Sequence, residues 1–190
     1  MENKLKNIER FHRKKHKIAK AILKTLDDDE IIHGQRALNI HLRKYPYLQK
    51  KTIDYDVFVK KGKAMKEARE AERKLDKLMG FDAFKSQRSK IHASTVKLKA
   101  LTGTTYADFT VPDTPVPSKM INKRRYRTLE SFKKHIKSTL KSGRAEFRRA
   151  KDEDMLNRIR ILERLKKQKR RAVKKPMKKS QWVPPANLKW

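Results

Sequence analysis

The chain contains no cysteine, and only five glycines among its 190 residues. Without cysteine there can be no disulfide and no thiolate metal site. With so little glycine, neither the phosphate-cradling G-x-x-x-x-G-K-[S/T] loop nor the G-x-S-x-G elbow is present. No apolar run reaches the length of a signal-peptide core or a membrane span, so neither secretion by that route nor insertion is expected. Acidic residues are also scarce, at 21 Asp and Glu against 53 Lys and Arg.

What is present is positive charge. The formal charge is +32, and 39% charged against 36% hydrophobic residues leaves little apolar material for one large core. A charge of this size repels itself in the compact state, and a polyanion relieves it. Nucleic acid fits best, because neutralising phosphates releases condensed counterions. An anionic membrane fits less well, since the cations are spread over the whole chain. The expected location is intracellular, with a nucleoid, ribosome or virion.

Hydrophobic spacing reads as all-α: an elongated set of helical hairpins in two parts, joined by a proline-rich linker, with basic, partly disordered termini. Residues 1–101 are expected to form a basic N-terminal bundle. In it Ile8, Phe11, Ile18, Ile22 and Leu26 make one helical stripe, and "DDDE" at 27–30 suits the positive end of a second helix. "TIDYDVFV" at 52–59 alternates like a strand but has no evident partner run. It therefore reads as a turn leading into a helix, with Asp54 or Asp56 as cap. Ala64, Ala68, Ala71, Leu75 and Leu78 form a short heptad seam that stops at Gly80, and Phe84, Ile91, Val96, Leu98 and Leu101 suggest a partner helix. Residues 102–127 form a Thr/Pro-rich joint expected to hold neither helix nor paired strand. Residues 128–173 form a helical pair capped by Thr128, with Phe132 and Phe147 on its apolar stripes, and 174–190 a basic, aromatic tail.

The cation runs give the candidate nucleic-acid contacts: Arg13, Lys14, Lys15 and Lys17; then Lys123, Arg124, Arg125 and Arg127; then Arg148 and Arg149. The last run is Lys166, Lys167, Lys169, Arg170, Arg171, Lys174, Lys175, Lys178 and Lys179, nine cations without an anion. Phosphate contact rather than base reading is expected, since no recognition-helix motif stands out. Tyr126, Trp182 and Trp190 lie outside any stripe and suit base stacking or a partner surface. His12 and His16 share a helix face, but without H-E-x-x-H or cysteine they read as part of the basic face. No metal, cofactor, small-molecule substrate or catalytic constellation is expected.

The stretch "VKLKALTGTTYADFTVPDTPVPSK", followed by "RYRTLESFKKHIKSTLK" and "GRAEFRRA", resembles the terminal proteins of small bacteriophages that prime replication of linear DNA. The likeness spans about residues 96–150. It implies a non-enzymatic protein whose hydroxyl accepts the first nucleotide from a partner DNA polymerase, with DNA favoured over RNA as the bound polymer. Ser180 is the hydroxyl carried over. A ribosomal or ribosome-assembly protein folding against rRNA is the alternative, as is a virion protein that condenses DNA by charge.

Overall fold

In a computed structural model, the structure describes residues 2–142 and 146–174. Its centre is a mixed sheet of seven strands, so the all-α expectation is corrected to α/β. The strands are β1 (Ile31–His33), β2 (Tyr55–Phe58), β3 (Phe84–Arg88), β4 (Thr95–Ala100), β5 (Thr105–Thr110), β6 (Ser118–Ile121) and β7 (Arg124–Arg127), in spatial order β3-β4-β5-β2-β1-β7-β6. The helices are α1 (Glu2–Thr25), α2 (Gly34–His41), α3 (Ala64–Met79), α4 (Leu129–Ser142) and α5 (Arg149–Lys174). Among the described residues no helix is long and apolar enough to cross a membrane.

The departures share one physical cause, which is that strand pairing is non-local. The alternating "TIDYDVFV" segment has partners after all, and β2 pairs in parallel with β5 and antiparallel with β1. Residues 84–101, expected as a helix, instead form β3 and β4, an antiparallel pair in which Phe84 faces Ala100. The stretch expected to lack paired strands supplies β5, β6 and β7. The turn between the last two holds Asn122 and Lys123 at φ 49° and 61°, the left-handed pair that a tight hairpin requires. The acidic run at 27–30 lies in the turn before β1 rather than at a helix start.

Two apolar clusters hold the sheet. On one face α1 and α3 pack Phe11, Ile18, Ile22, Ala68, Ala71 and Leu75 against Tyr55, Val57, Leu98 and Phe109. These include Phe11, Ile18 and Ile22 of the α1 stripe and most of the seam of α3, which ends at Gly80 in the left-handed conformation. A second cluster joins α2, α4 and α5 through Leu38, Leu42, Phe132, Ile136, Met155 and Ile159. Thr128 Oγ1 accepts from Ser131 N (3.2 Å), capping α4. Phe147, expected on an apolar stripe, is 81% exposed.

Candidate active site

Side chains alternate along a strand, so burying Tyr55 and Val57 under α1 and α3 puts Asp56 and Phe58 on the opposite face of the sheet. The parallel register sets Asp56 of β2 directly beside Asp108 of β5. Asp54, one step before β2 in the same phase as Asp56, is occupied locally. Its carboxylate accepts from the Thr52 hydroxyl, and its carbonyl accepts from Arg36 Nε (2.7 Å).

The Asp56–Asp108 pair is electrostatically loaded. Burial, reinforced by the charges of Asp54 and Asp108, pushes the Asp56 carboxyl up to about 6. Burial likewise raises Asp108, partly offset by Lys97, whose Nζ lies 3.8 Å from Asp108 Oδ2. Asp108 Oδ1 is enclosed and has no hydrogen-bond partner. A buried carboxylate oxygen left unpaired costs free energy unless a cation or donor meets it.

The pair opens into a cavity of about 490 Å³, a size ordinary for a small-molecule site. His33, Gly34 and Gln35 at the start of α2 line one side, and Val111, Pro112 and Asp113 after β5 line another. Arg127 of β7, His135 of α4, and Arg148 and Lys151 near the start of α5 close it. The positive charges of Lys151 and Arg148 oppose the upward shift at Asp56, and both residues line the same cavity as the two carboxylates. The His33 ring stacks on Phe58 (centroids 3.7 Å, planes 9° apart), while its enclosed Nε2 has no partner. Burial, followed by the charges of Arg127, His135 and Arg148, holds His33 neutral, down to about 3.

Gly34 makes the close approach possible. It sits at φ +60°, and a Cβ there would come 1.8 Å from Asp56 Oδ2. Only glycine lets the start of α2 lie against the carboxylate.

Among the described residues no group of three or more His, Asp or Glu side chains converges as a ready-made metal site. Two carboxylates on adjacent strands, one with an orphaned oxygen, nevertheless suit Mg²⁺. That ion is commonly held by one or two carboxylates together with waters and substrate phosphates.

The cations singled out by sequence are dispersed by the fold. Arg127 and Arg148 line the cavity; Arg127 Nε also donates to Ser131 Oγ (3.1 Å), and Arg148 Nη2 pairs with Asp152 (3.0 Å). Arg124 donates to the Leu26 carbonyl and Arg125 to the Asp28 carbonyl (3.1 Å), clasping the turn before β1. Tyr126 is half-buried beside the α1–α3 core. Lys14 Nζ donates to the Leu78 carbonyl (2.6 Å), Arg149 pairs with Glu146 (2.6 Å), and Arg13, Lys15, Lys17 and Lys123 are exposed. Lys166, Lys167, Lys169, Arg170 and Arg171 are exposed along the end of α5, where Lys174 is the last residue. Lys175, Lys178, Lys179, Ser180, Trp182 and Trp190 lie outside the described residues. Sequence reasoning named Asp54 and Asp56 only as caps and passed over Asp108, Gly34, His33 and Lys151. The signal available was the "DYD" spacing, which puts two carboxylates on one strand face.

No family model matches this sequence, and no curated protein matches it. The fold is similar to the crystal structure of the Megavirus polyadenylate synthase, at a TM-score of 0.62 and 17% identity over 77% of this chain. The chain spans 31% of that protein's length. The likeness shows the fold alone, and it corrects the resemblance to phage terminal proteins. Residues 96–150, which carried that resemblance, contribute β5, β6, β7, α4 and most of β4 to the mixed sheet and its flanking helices. The non-enzymatic expectation, with its ribosomal and DNA-condensing alternatives, is corrected on the same finding: this chain has the fold of a protein named as a synthase, and that name is consistent with interaction with nucleotide or nucleic acid.

Proposed function

We propose that the protein is a nucleotidyltransferase that adds a nucleotide from a nucleoside triphosphate to a hydroxyl of a nucleic-acid acceptor. The carrying observation is the Asp56–Asp108 pair, with its orphaned Asp108 Oδ1, facing Arg148 and Lys151 across one cavity. The similarity to a polyadenylate synthase supports the same reading.

Two adjacent carboxylates would repel a triphosphate, so they imply a divalent cation between carboxylate and phosphate. Asp56 and Asp108 would hold it. Bound there, it would neutralise charge on the phosphates and favour in-line displacement.

The chain's own residues account for the rest. Arg148 and Lys151 meet the outer phosphates as fixed cations. The acceptor hydroxyl oxygen bonds to the α-phosphorus, the bond from that phosphorus to the β-phosphate oxygen breaks, and pyrophosphate leaves. Asp108, beside Asp56 at the cavity, is placed to take the hydroxyl proton. Gly34 keeps the backbone of α2 close to Asp56 and so fixes the carboxylate's position.

The test is extension of a labelled single-stranded primer by each of the four ribonucleoside triphosphates with Mg²⁺, comparing wild type with Asp56→Asn and Asp108→Asn. Extension by wild type and a loss of at least ~100-fold in both variants is expected, the size typical of removing a charge-stabilising group. Folded wild type that extends nothing would refute the reading.

A further inference from the structure

A second concavity lies at the other end of α2. It is an open groove of about 1090 Å³ between the end of α2, the β6–β7 hairpin and the last turns of α5. Six cations line it: Arg43, Lys44, Lys119, Lys166, Lys169 and Arg170, with no aspartate or glutamate among the lining residues. Tyr45 and the 47%-exposed Met120 add apolar surface between the charges. Arg43 and Lys44 have a local explanation, since cations suit the negative C-terminal end of a helix. Lys119 on β6 and the α5 cations have none: among the described residues no ion pair involves them. The nearest acid on that part of α5, Glu163, is held by Lys133 (2.7 Å).

Convergence of like charge from three elements is costly without a ligand. It is felt at His41, which burial and then the charges of Lys166 and Lys119 hold below its ordinary range, against the bond from its ring to the Arg127 carbonyl (2.8 Å).

The groove and the carboxylate cavity share two rods. Gly34 and Gln35 at the start of α2 line the cavity, and Ile40 and His41 at its end line the groove. Eight residues of helix separate the two ends by about 12 Å. Along α5, Lys151 lines the cavity and Lys166 the groove, roughly 20 Å apart at the helical rise. A strand of a few nucleotides spans either distance.

We propose that this groove binds the phosphate backbone of the single-stranded nucleic-acid acceptor, several nucleotides back from the end that enters the cavity. The assignment rests on the nucleotidyltransferase reading for the identity of the strand, but its binding test does not. Mixed cations with interspersed Tyr and Met suit a flexible strand, which can meet phosphate and exposed base together. An acidic protein segment is the competing occupant.

The test uses the full chain and a labelled single strand of about 20 nucleotides, titrated at several salt concentrations. Replacing Lys119, Lys166 and Lys169 together by glutamine should weaken binding at least ~10-fold and reduce the log–log salt slope by about 2, at about 0.7 per lost single-strand contact. Replacing Lys15, Lys17 and Lys20 of α1, all exposed and none of them lining the groove, removes the same charge and should leave the slope nearly unchanged. Equal losses from the two triples would overturn the assignment in favour of net charge. So would competition by polyglutamate as effective as by a nucleic acid of equal charge.

Transfer assays separate the two readings. The groove triple should leave extension of a dinucleotide unchanged and raise KM for the long strand. If wild type extends the dinucleotide and the triple keeps the same KM for the long strand, the groove assignment fails and the catalytic one stands. If wild type extends nothing while the groove triple alone loses binding, the catalytic reading fails and the groove stands.

Discussion

Gly34→Ala tests the geometry of the carboxylate site through stability, independently of any substrate. The new Cβ would sit 1.8 Å from Asp56 Oδ2, 2.6 Å from its Cγ and 3.0 Å from its Cβ. The φ of +60° adds about 1–2 kcal/mol of strain for any residue with a Cβ. Since contacts that short cannot exist, the Asp56 carboxyl must leave its rotamer or α2 must shift, adding about 1–2 kcal/mol. The expected cost is about 3 kcal/mol in all, a large share of a small protein's stability. In an Asp56→Ala background the Cγ and Oδ2 contacts vanish and only the 3.0 Å approach to the Cβ remains, so Gly34→Ala should then cost little beyond its backbone strain. A double-mutant cycle by urea denaturation at fixed pH therefore predicts a coupling of about 1–2 kcal/mol. Equal costs of Gly34→Ala in both backgrounds would refute the claim that α2 is built against the Asp56 carboxylate.

Three further predictions follow from individual side chains. Glu30 is 3% exposed, and burial, with repulsion from Glu67, raises its carboxyl to about 7. Because the folded value exceeds that of the unfolded chain, its contribution is present below about pH 4.5 and is lost as pH rises through 7. Glu30→Gln should accordingly remove a decline of up to ~3 kcal/mol between pH 5 and 8, at 1.36 kcal/mol per unit, seen in pH-dependent unfolding curves. Buried Arg158 binds Asp154 (2.8 Å), the Leu48 carbonyl (3.3 Å) and Gln35 Oε1 (3.0 Å), tying α5 to the loop after α2. Arg158→Met strands those acceptors and should cost about 2–3 kcal/mol by urea denaturation. Asp108→Asn relieves a half-buried carboxylate, so it should raise the melting temperature of the ligand-free protein at pH 8 while abolishing transfer; a lower melting temperature would mean that the Lys97 pair outweighs the burial cost.

How far the sequence carried depends on how local each signal is. The stripes of α1 and α3 were legible because spacing within one segment sets the buried face: Phe11, Ile18, Ile22 and Leu26 are all in the core. Residues 52–59 already showed the alternation of β2. Its partners, β1 and β5, are not adjacent to it along the chain, so alternation alone does not reveal the pairing. Val96 and Leu98 fit a helical stripe only when strung together with Phe84 and Ile91; once β3 and β4 pair, Ile91 is left exposed in the connecting loop. The site suffered most, since Asp108 carries no motif and becomes meaningful only through its register with Asp56. Net charge singles out cation runs without saying what each side chain does, and Arg124 and Arg125 hold a turn together.

On the proposed function, Asp56 and Asp108 would bind a divalent cation bearing a nucleoside triphosphate. The most direct measurement is a crystal structure with Mn²⁺ and a non-hydrolysable triphosphate, read by anomalous scattering. A metal peak bridging both carboxylates, with phosphates toward Arg148 and Lys151, is the predicted result. Triphosphate bound elsewhere, or a metal-free cavity with Asp108 closed onto Lys97, would contradict it.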